Sequence, residues 1–528
     1  MEVWAHWKLL LVVGILGSVM LVILYKKTRF AFGYSILLLL GLGLGTHWLG
    51  ALAWPPVLLG LICPLLLVNT VLYVYLDKDA TNGRPTPFTL VLQHRKGQLT
   101  LRNIRRGISL IASAGSGKTE SVVAPLLGHF AQHGFSGVIH DYKDFELTEI
   151  AHPLIDEKLT DFYCIGFDPV YHRVNPIAPS YMDSEESVNE LSRVLVENLL
   201  EQKESGAIGS NKFFTDAVEG LLGGMIWKLR SDYPQYCTLP HLMALYQYLD
   251  MESLEAFLKG NHTAKAMADA FINGIKSERQ TAGVRSTLSN ALKKISTQRN
   301  FYVLSADEVP LNINQRERPT IVSVVNNPKY ETAYSPMIAT IIHTLTKQMA
   351  VRKARPSFLL MEEAPTLRLL NMHRIPATLR SYDIATVYVM QDKVQNDMLY
   401  GEKASRAILS NLSYQFFGKV NDPDTARYYE RFFELVKKPT TSVNRSRTIN
   451  FDTRVTTGEK EVSKIRADVF FRLKQGEFIA FADGREQKIQ FKRPQLQRGL
   501  PQRKNQAEID LEGNFYRIHA EIRALFGK

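Results

Sequence analysis

The stretch Ile108-Ser109-Leu110-Ile111-Ala112-Ser113-Ala114-Gly115-Ser116-Gly117-Lys118-Thr119-Glu120 decides the reading of this 528-residue chain. An apolar, β-type run from Ile108 to Ile111 enters a glycine-rich loop that closes on Lys118-Thr119. The apolar stretch from Val122 to Phe130, with its Gly128, reads as the helix that follows. Strand, loop and helix in this order make a phosphate cradle. Gly115 and Gly117 let backbone N–H groups approach phosphates closely. Lys118 reaches the β- and γ-phosphates, and the Thr119 hydroxyl is placed to ligate Mg2+. The nine positions from Ala112 to Glu120 are therefore the expected nucleotide-contacting set. Ala112 departs from the pattern, standing where a first glycine usually serves the tight turn.

Such a loop needs carboxylates on a neighbouring strand. Ser357-Phe358-Leu359-Leu360-Met361-Glu362-Glu363 supplies them, an apolar run ending in two acids. The first of such a pair helps hold Mg2+ and the second orients or deprotonates the attacking water. That assigns Glu362 to the metal and Glu363 to catalysis. Glu362 stands where Asp is usual, and its longer side chain reaches the metal through a bound water. A further strand-like run, Thr386 to Met390, ends in Gln391-Asp392. Gln391 is expected either to sense the γ-phosphate through the attacking water or to be an ordinary strand-end amide. Asp141 and Lys143 follow another apolar run. They belong either to the carboxyl edge of the sheet, where open α/β sheets bind ligands, or to a solvated turn.

Upstream of the loop the chain is apolar from Trp7 to Tyr25, from Phe30 to about Leu52 and from Pro55 to Leu76. Each run is near the ~20 residues that span a bilayer, so three transmembrane helices are expected over residues 1–77. A two-helix arrangement is the alternative. Lys26, Lys27 and Arg29 mark the first connection as cytoplasmic, while Trp48 and Trp54 suit the opposite interface. Three crossings then leave everything after Asp77 in the cytoplasm, the side that holds ATP.

The remainder is too long for one simple domain. Strand-like runs at Gly137–His140, Phe162–Phe167, Thr320–Val325, Phe358–Met361, Thr386–Met390, Tyr414–Phe417 and Phe478–Phe481 alternate with helical stretches. They predict a mainly parallel sheet with helices on both faces, an α/β fold. Helical periodicity dominates from Val188 to Leu200, Phe213 to Leu229, Ser253 to Phe257 and Arg285 to Ile295, so residues 183–300 read as an inserted all-α domain. The α/β core then comprises residues 78–182 and 301–491. Residues 437–464 read as an exposed loop or β-ribbon, and residues 492–528 as a basic tail with a short amphipathic helix. Cys63, Cys164 and Cys237 are scattered, which excludes a cysteine metal site and predicts reduced thiols. A net charge of +12 allows an anionic partner, nucleic acid or acidic lipid.

The order of these motifs resembles the type IV coupling proteins of the TraG/TraD kind, membrane-anchored RecA-like ATPases of conjugation and type IV secretion. The likeness spans nearly the whole chain. Besides the loop and the acidic pair it includes Asp141-Tyr142-Lys143-Asp144-Phe145-Glu146, similar to the family's Asp-Pro-Lys-Gly-Glu stretch, then Asp168-Pro169 and Asn175-Pro176-Ile177. Phe213-Phe214, Thr281 to Ser286, Gln391, Leu409-Ser410-Asn411 and Asn421 to Ala426 complete it. Ala112, Glu362, an extra residue in the Asp141–Glu146 stretch and three spans where two are usual are departures. The resemblance implies a homo-hexameric motor at the inner membrane of a bacterium. With ATP and Mg2+ it would drive a relaxase bound to single-stranded DNA, delivered by the relaxosome, toward a type IV secretion channel. A neighbouring subunit would supply an arginine, with Arg380, Arg406 and Arg427 as candidates. Lys437, Lys438, Arg445 and Arg447 would touch DNA or form a solvated loop. A double-stranded-DNA pump of the chromosome-segregation type and a relaxase receptor with little ATPase activity are the rival readings.

Overall fold

Strands buried on both faces require near-continuous apolar runs, and the chain supplies them between helices. This computed structural model describes residues 86–200, 210–275, 277–445, 453–503 and 509–527. The three predicted spans (7–25, 30–52 and 55–76) lie outside the described residues, as does Arg447. Among the described residues no helix is long and apolar enough to cross a membrane. Residues 87–528 form one compact unit.

This unit begins with a hairpin, β1 (Leu90–His94) and β2 (Gly97–Leu101). The central sheet is built from β3 (Ile108–Ile111), β4 (Ser136–Asp141), β5 (Asp161–Ile165), β6 (Thr320–Val325), β7 (Ser357–Met361), β8 (Ile384–Met390) and β9 (Tyr414–Phe417). A separate ribbon, β10 (Leu435–Arg445) with β11 (Thr453–Ser463), follows. β12 (Glu477–Ala482) and β13 (Arg485–Gln490) then rejoin the sheet. The nine-stranded order is β13-β12-β9-β3-β8-β7-β4-β6-β5. Every neighbour pair from β9 to β5 is parallel, and β12 and β13 add an antiparallel edge. The expected α/β class is observed. The reading of apolar runs missed β1, β2 and β13 because the apolar run of β1 is only three residues long, β2 alternates polar with apolar residues and β13 carries a single apolar residue, Ile489.

Side-chain alternation divides the core in two. Leu359 and Met361 of β7 face a cluster that continues into the helices between β5 and β6, whereas Phe358 and Leu360 face the helix Ala124–Gln132 and the β1–β2 hairpin. Between β5 and β6 the described chain is helical. The helix Glu185–Leu199 opens with a Ser184–Ser187 capping box and packs on Ser210–Asp232 and on Glu331–Met349. The carboxy-terminal segment returns across this whole arrangement. Arg493 lies 3.8 Å from Glu120, Gly499 N–H donates to Glu149 O at 2.9 Å, and Arg503 Nε donates to Tyr171 OH at 3.3 Å. The helix Leu511–Leu525 then docks on the helical insertion. Phe515 packs on Phe301 at 4.7 Å, and Glu521 accepts from His241 Nε2 at 2.8 Å.

Candidate functional site

Strand order builds the site. β8 lies between β3, which carries the glycine-rich loop, and β7, which carries the acidic pair. All three end on one edge, with Ile111 beside Met390 and Met361 beside Tyr388. Gln391 therefore emerges between loop and acids, and its Nε2 donates to Glu363 Oε1 at 3.0 Å.

The loop is held at its entrance. Ala112 N–H donates to Met390 O at 3.2 Å and Ser113 N–H to Lys419 O at 2.7 Å. Gly115 and Gly117 have φ of 71° and 84°, a region that side chains disfavour, and Ala114 and Gly115 are exposed at the apex. Ala112 is absent from the positive-φ residues, so its backbone does not need glycine. The room a methyl needs there comes from Gly418, where a Cβ would sit 2.4 Å from Ala112 Cβ. After Lys118 the chain makes a π-turn, Thr119–Val123, before the α-helix Ala124–Gln132. Ala124 N–H bonds Thr119 O, and Pro125 supplies no N–H for the ordinary ladder.

Lys118 and Lys143 converge on the acids. Lys118 Nζ is 4.0 Å from Glu363 Oε1 and donates to Ala112 O at 2.5 Å. Burial lowers its pKa, against the opposing pull of Glu363 and Glu362. Lys143 Nζ stands 3.2 Å from both Glu362 Oε1 and Glu363 Oε1. Burial alone would lower its pKa, but Glu362, Glu363 and Glu146 outweigh burial and hold it above the usual lysine range. Burial pushes Glu362 up to about 7, with Asp141 adding to the rise and Lys143 opposing it. Glu363 sits in the left-handed region, φ 43°, and its carbonyl accepts from Thr366 N–H and Oγ1 at 2.9 and 2.7 Å. Asp141 has a different task. It is fully buried, its Oδ2 accepts from Thr148 N–H and Oγ1, and burial raises its pKa to about 6.

A triphosphate with its metal fits this arrangement. Glu362 Oε2 and Ser116 Oγ are buried without a hydrogen-bond partner among the described residues, a cost that phosphate and a hydrated cation would remove. Thr119 and Glu362 would hold Mg2+, and the loop amides with Lys118 would hold the phosphates.

A family model described as "Type IV secretory system Conjugative DNA transfer" matches residues 77–471. The chain belongs to this family. Among solved structures it is similar to the bacterial conjugative coupling protein TrwBdeltaN70 in an unbound monoclinic form. The TM-score is 0.61 at 13% identity, covering 81% of this chain and 93% of that one. The plasmid coupling protein TrwB in complex with ADP and Mg2+ gives 0.60 at 14% identity, over 80% and 93%. TrwB with the ATP analogue ADPNP gives 0.59 at 14%, over 75% and 87%. At these identities the likeness is one of fold, an α/β core with a mixed central sheet. A search of curated proteins found no match.

Within this coupling-protein fold, Lys118, Glu362, Glu363 and Gln391 come together. Glu120 turns toward Arg493 instead of the loop. Arg406 and Arg427 pair with Glu402 and Asp424 within their own helices, and Arg380 is exposed. Lys437 faces Glu461 across the ribbon and lies 3.6 Å from Glu459, whereas Lys438 stands opposite Lys460, so the register balances the first lysine and sets the second beside another. The residue that sequence reasoning left open is Lys143, whose signal was its place after a buried strand at the carboxyl edge.

Proposed function

We propose that this conjugative transfer protein is an inner-membrane ATPase that couples a relaxase–single-stranded DNA substrate to a type IV secretion channel and works as a homo-hexamer. The observation that carries the reading is the convergence of Lys118, Lys143 and Gln391 on Glu363 beside the glycine-rich loop. The nucleotide and Mg2+ bound by its structural relatives support the choice of ATP and Mg2+. When bound, Mg2+ neutralises charge on the β- and γ-phosphates.

The chain's own residues do the rest. Loop amides and Lys118 orient the phosphates. Glu363 accepts hydrogen bonding from the attacking water, or takes its proton, as the water oxygen bonds the γ-phosphorus and the bond to the β-phosphate oxygen breaks. Gln391 fixes the Glu363 carboxylate, and Lys143 spans the acidic pair so that both carboxylates stay close despite their charge. An arginine from a neighbouring subunit would complete the charge stabilisation.

The test is ATP hydrolysis by the full chain at low salt, with and without single-stranded DNA, alongside Lys118→Ala and Glu363→Gln. Low salt is needed because phosphate contacts weaken steeply as salt rises. DNA-stimulated turnover lost in both variants supports the motor. Absence of turnover in folded chain assembled on DNA overturns it in favour of the receptor. Stimulation by duplex alone favours the double-stranded-DNA pump.

A further inference from the structure

Two segments leave the hydrolytic centre and meet again away from it. Downstream of Glu363 a short turn leads to Arg368. Downstream of Gln391, Asp392 caps the helix Lys393–Tyr400 by accepting from Gln395 N–H at 2.9 Å. These two segments are stitched together. Tyr400 OH donates to Leu367 O at 3.2 Å, Leu369 N–H donates to Tyr400 OH at 3.0 Å, and Arg368 NH1 donates to Leu399 O at 2.8 Å. The same guanidinium reaches into the helical insertion, where Arg368 Nε lies 3.2 Å from Glu197 Oε2. Asn198 Nδ2 adds a bond to Arg368 O at 3.0 Å. Both side chains of the ion pair are sheltered, 9% exposed for Arg368 and 15% for Glu197.

We propose that Arg368 is a positioning residue through which the helical insertion sets the geometry of Glu363 and Gln391. The inference rests on the reading of Glu363 as the hydrolytic carboxylate. Its physical basis is the sheltered Arg368–Glu197 ion pair, in which the guanidinium follows a carboxylate that Arg193 Nε also holds at 3.0 Å. Glu197 lies in the last turn of Glu185–Leu199, a helix packed both on Ser210–Asp232 of the insertion and on Glu331–Met349 of the α/β core, so it sits at the seam where a load on the insertion passes into the core. The planar fork ties that movement to Leu399 O, the end of the helix that Gln391 precedes. Thr366, two residues before Arg368, holds the Glu363 carbonyl through two bonds and closes the chain of contacts. A cavity of about 380 Å³ beside Thr366, Arg368, Glu197 and Leu399 leaves room for the junction to shift. Whatever loads the insertion is thereby felt at the acidic pair, and nucleotide binding is felt in the insertion to the same degree.

The test uses the full chain in lipid nanodiscs, with Arg368→Lys, Arg368→Ala and Glu197→Gln. A fluorescent non-hydrolysable ATP analogue measures binding. Hydrogen exchange of residues 185–199 with and without the analogue measures transmission, and turnover with and without single-stranded DNA measures coupling. Expected are near-unchanged analogue affinity, loss of the analogue-dependent exchange change over 185–199, and a fall of about tenfold in the ratio of DNA-stimulated to basal turnover. Arg368→Lys keeps the charge without the fork and should fall between wild type and Arg368→Ala. Should Arg368→Ala not fold, Glu197→Gln, which keeps the shape of the partner, is judged by the same measurements. A folded variant that keeps both the exchange change and the stimulation ratio overturns the inference. Wild-type chain that binds the analogue without any exchange change over 185–199 also overturns it and leaves the ATPase reading intact. Wild-type chain that binds no analogue removes the ATPase reading itself.

Discussion

Glu363 holds a left-handed backbone conformation that costs a non-glycine residue of order 1–3 kcal/mol. The turn Ala364–Thr366 and the Gln391 amide keep it there, which aims its carboxylate back at Lys118. The two acids should therefore separate cleanly. Glu363→Gln is expected to retain analogue binding and lose roughly 10²–10⁴ in turnover, whereas Glu362→Gln should chiefly raise the Mg2+ concentration needed for half-maximal rate. Titrating Mg2+ in both variants checks this. Ala112 is the second instructive residue. Read alone it is a missing glycine; in the fold it is one half of a pair with Gly418. Gly418→Ala should destabilise the chain by about 1–3 kcal/mol through overpacking against Ala112 Cβ and the Phe478 ring. Part of that loss should return in the double change Ala112→Gly/Gly418→Ala, read by denaturant unfolding. No such recovery would mean that the clash is relieved elsewhere.

At the scale of elements, local signals located most of the strands, since buried parallel strands are apolar throughout and stand out from helical periodicity. They did not reveal what the carboxy-terminal helix does. The sequence there reads as a short amphipathic helix in a basic tail, and in the fold Ile518 and Ile522 are fully buried in the core that the insertion shares. Ile518→Ala should cost about 2–5 kcal/mol. The accompanying rise in hydrogen exchange should appear in Leu239–Tyr248 and Gln298–Val303, the helices against which Leu511–Leu525 packs. Exchange confined to 511–525 would sink this account. The ribbon β10–β11 makes the converse point. A run with two adjacent lysines reads as cationic, but cross-strand register decides what each one meets: Glu461 stands opposite Lys437 and Lys460 opposite Lys438.

For the molecule as a whole, part of the acid sensitivity follows from a histidine outside the nucleotide site. Burial holds His343 at about 4, below its usual 6.5, with Lys347 adding to the depression and Glu190, 3.9 Å away, opposing it. The unfolded chain binds this proton first as pH falls. The stabilisation is thus fully present above pH 6.5 and lost as pH drops toward 4, by up to about 3 kcal/mol. Unfolding measured from pH 7 to 4 should show a shallower acid limb in His343→Leu than in wild type. What the sequence by itself determined is local: the phosphate loop between a strand and a helix, an apolar run ending in two acids, another ending in Gln391, and a helical stretch between core strands. Each depends on periodicity and loop chemistry within a short window. Only the tertiary structure decided that β8 lies between β3 and β7, and hence that Gln391 touches Glu363. It also decided that Lys143 bridges two carboxylates from a strand far along the chain, 219 positions from Glu362, and that Gly418 accommodates Ala112. These contacts depend on strand order and register across the sheet, which no local pattern of residues encodes.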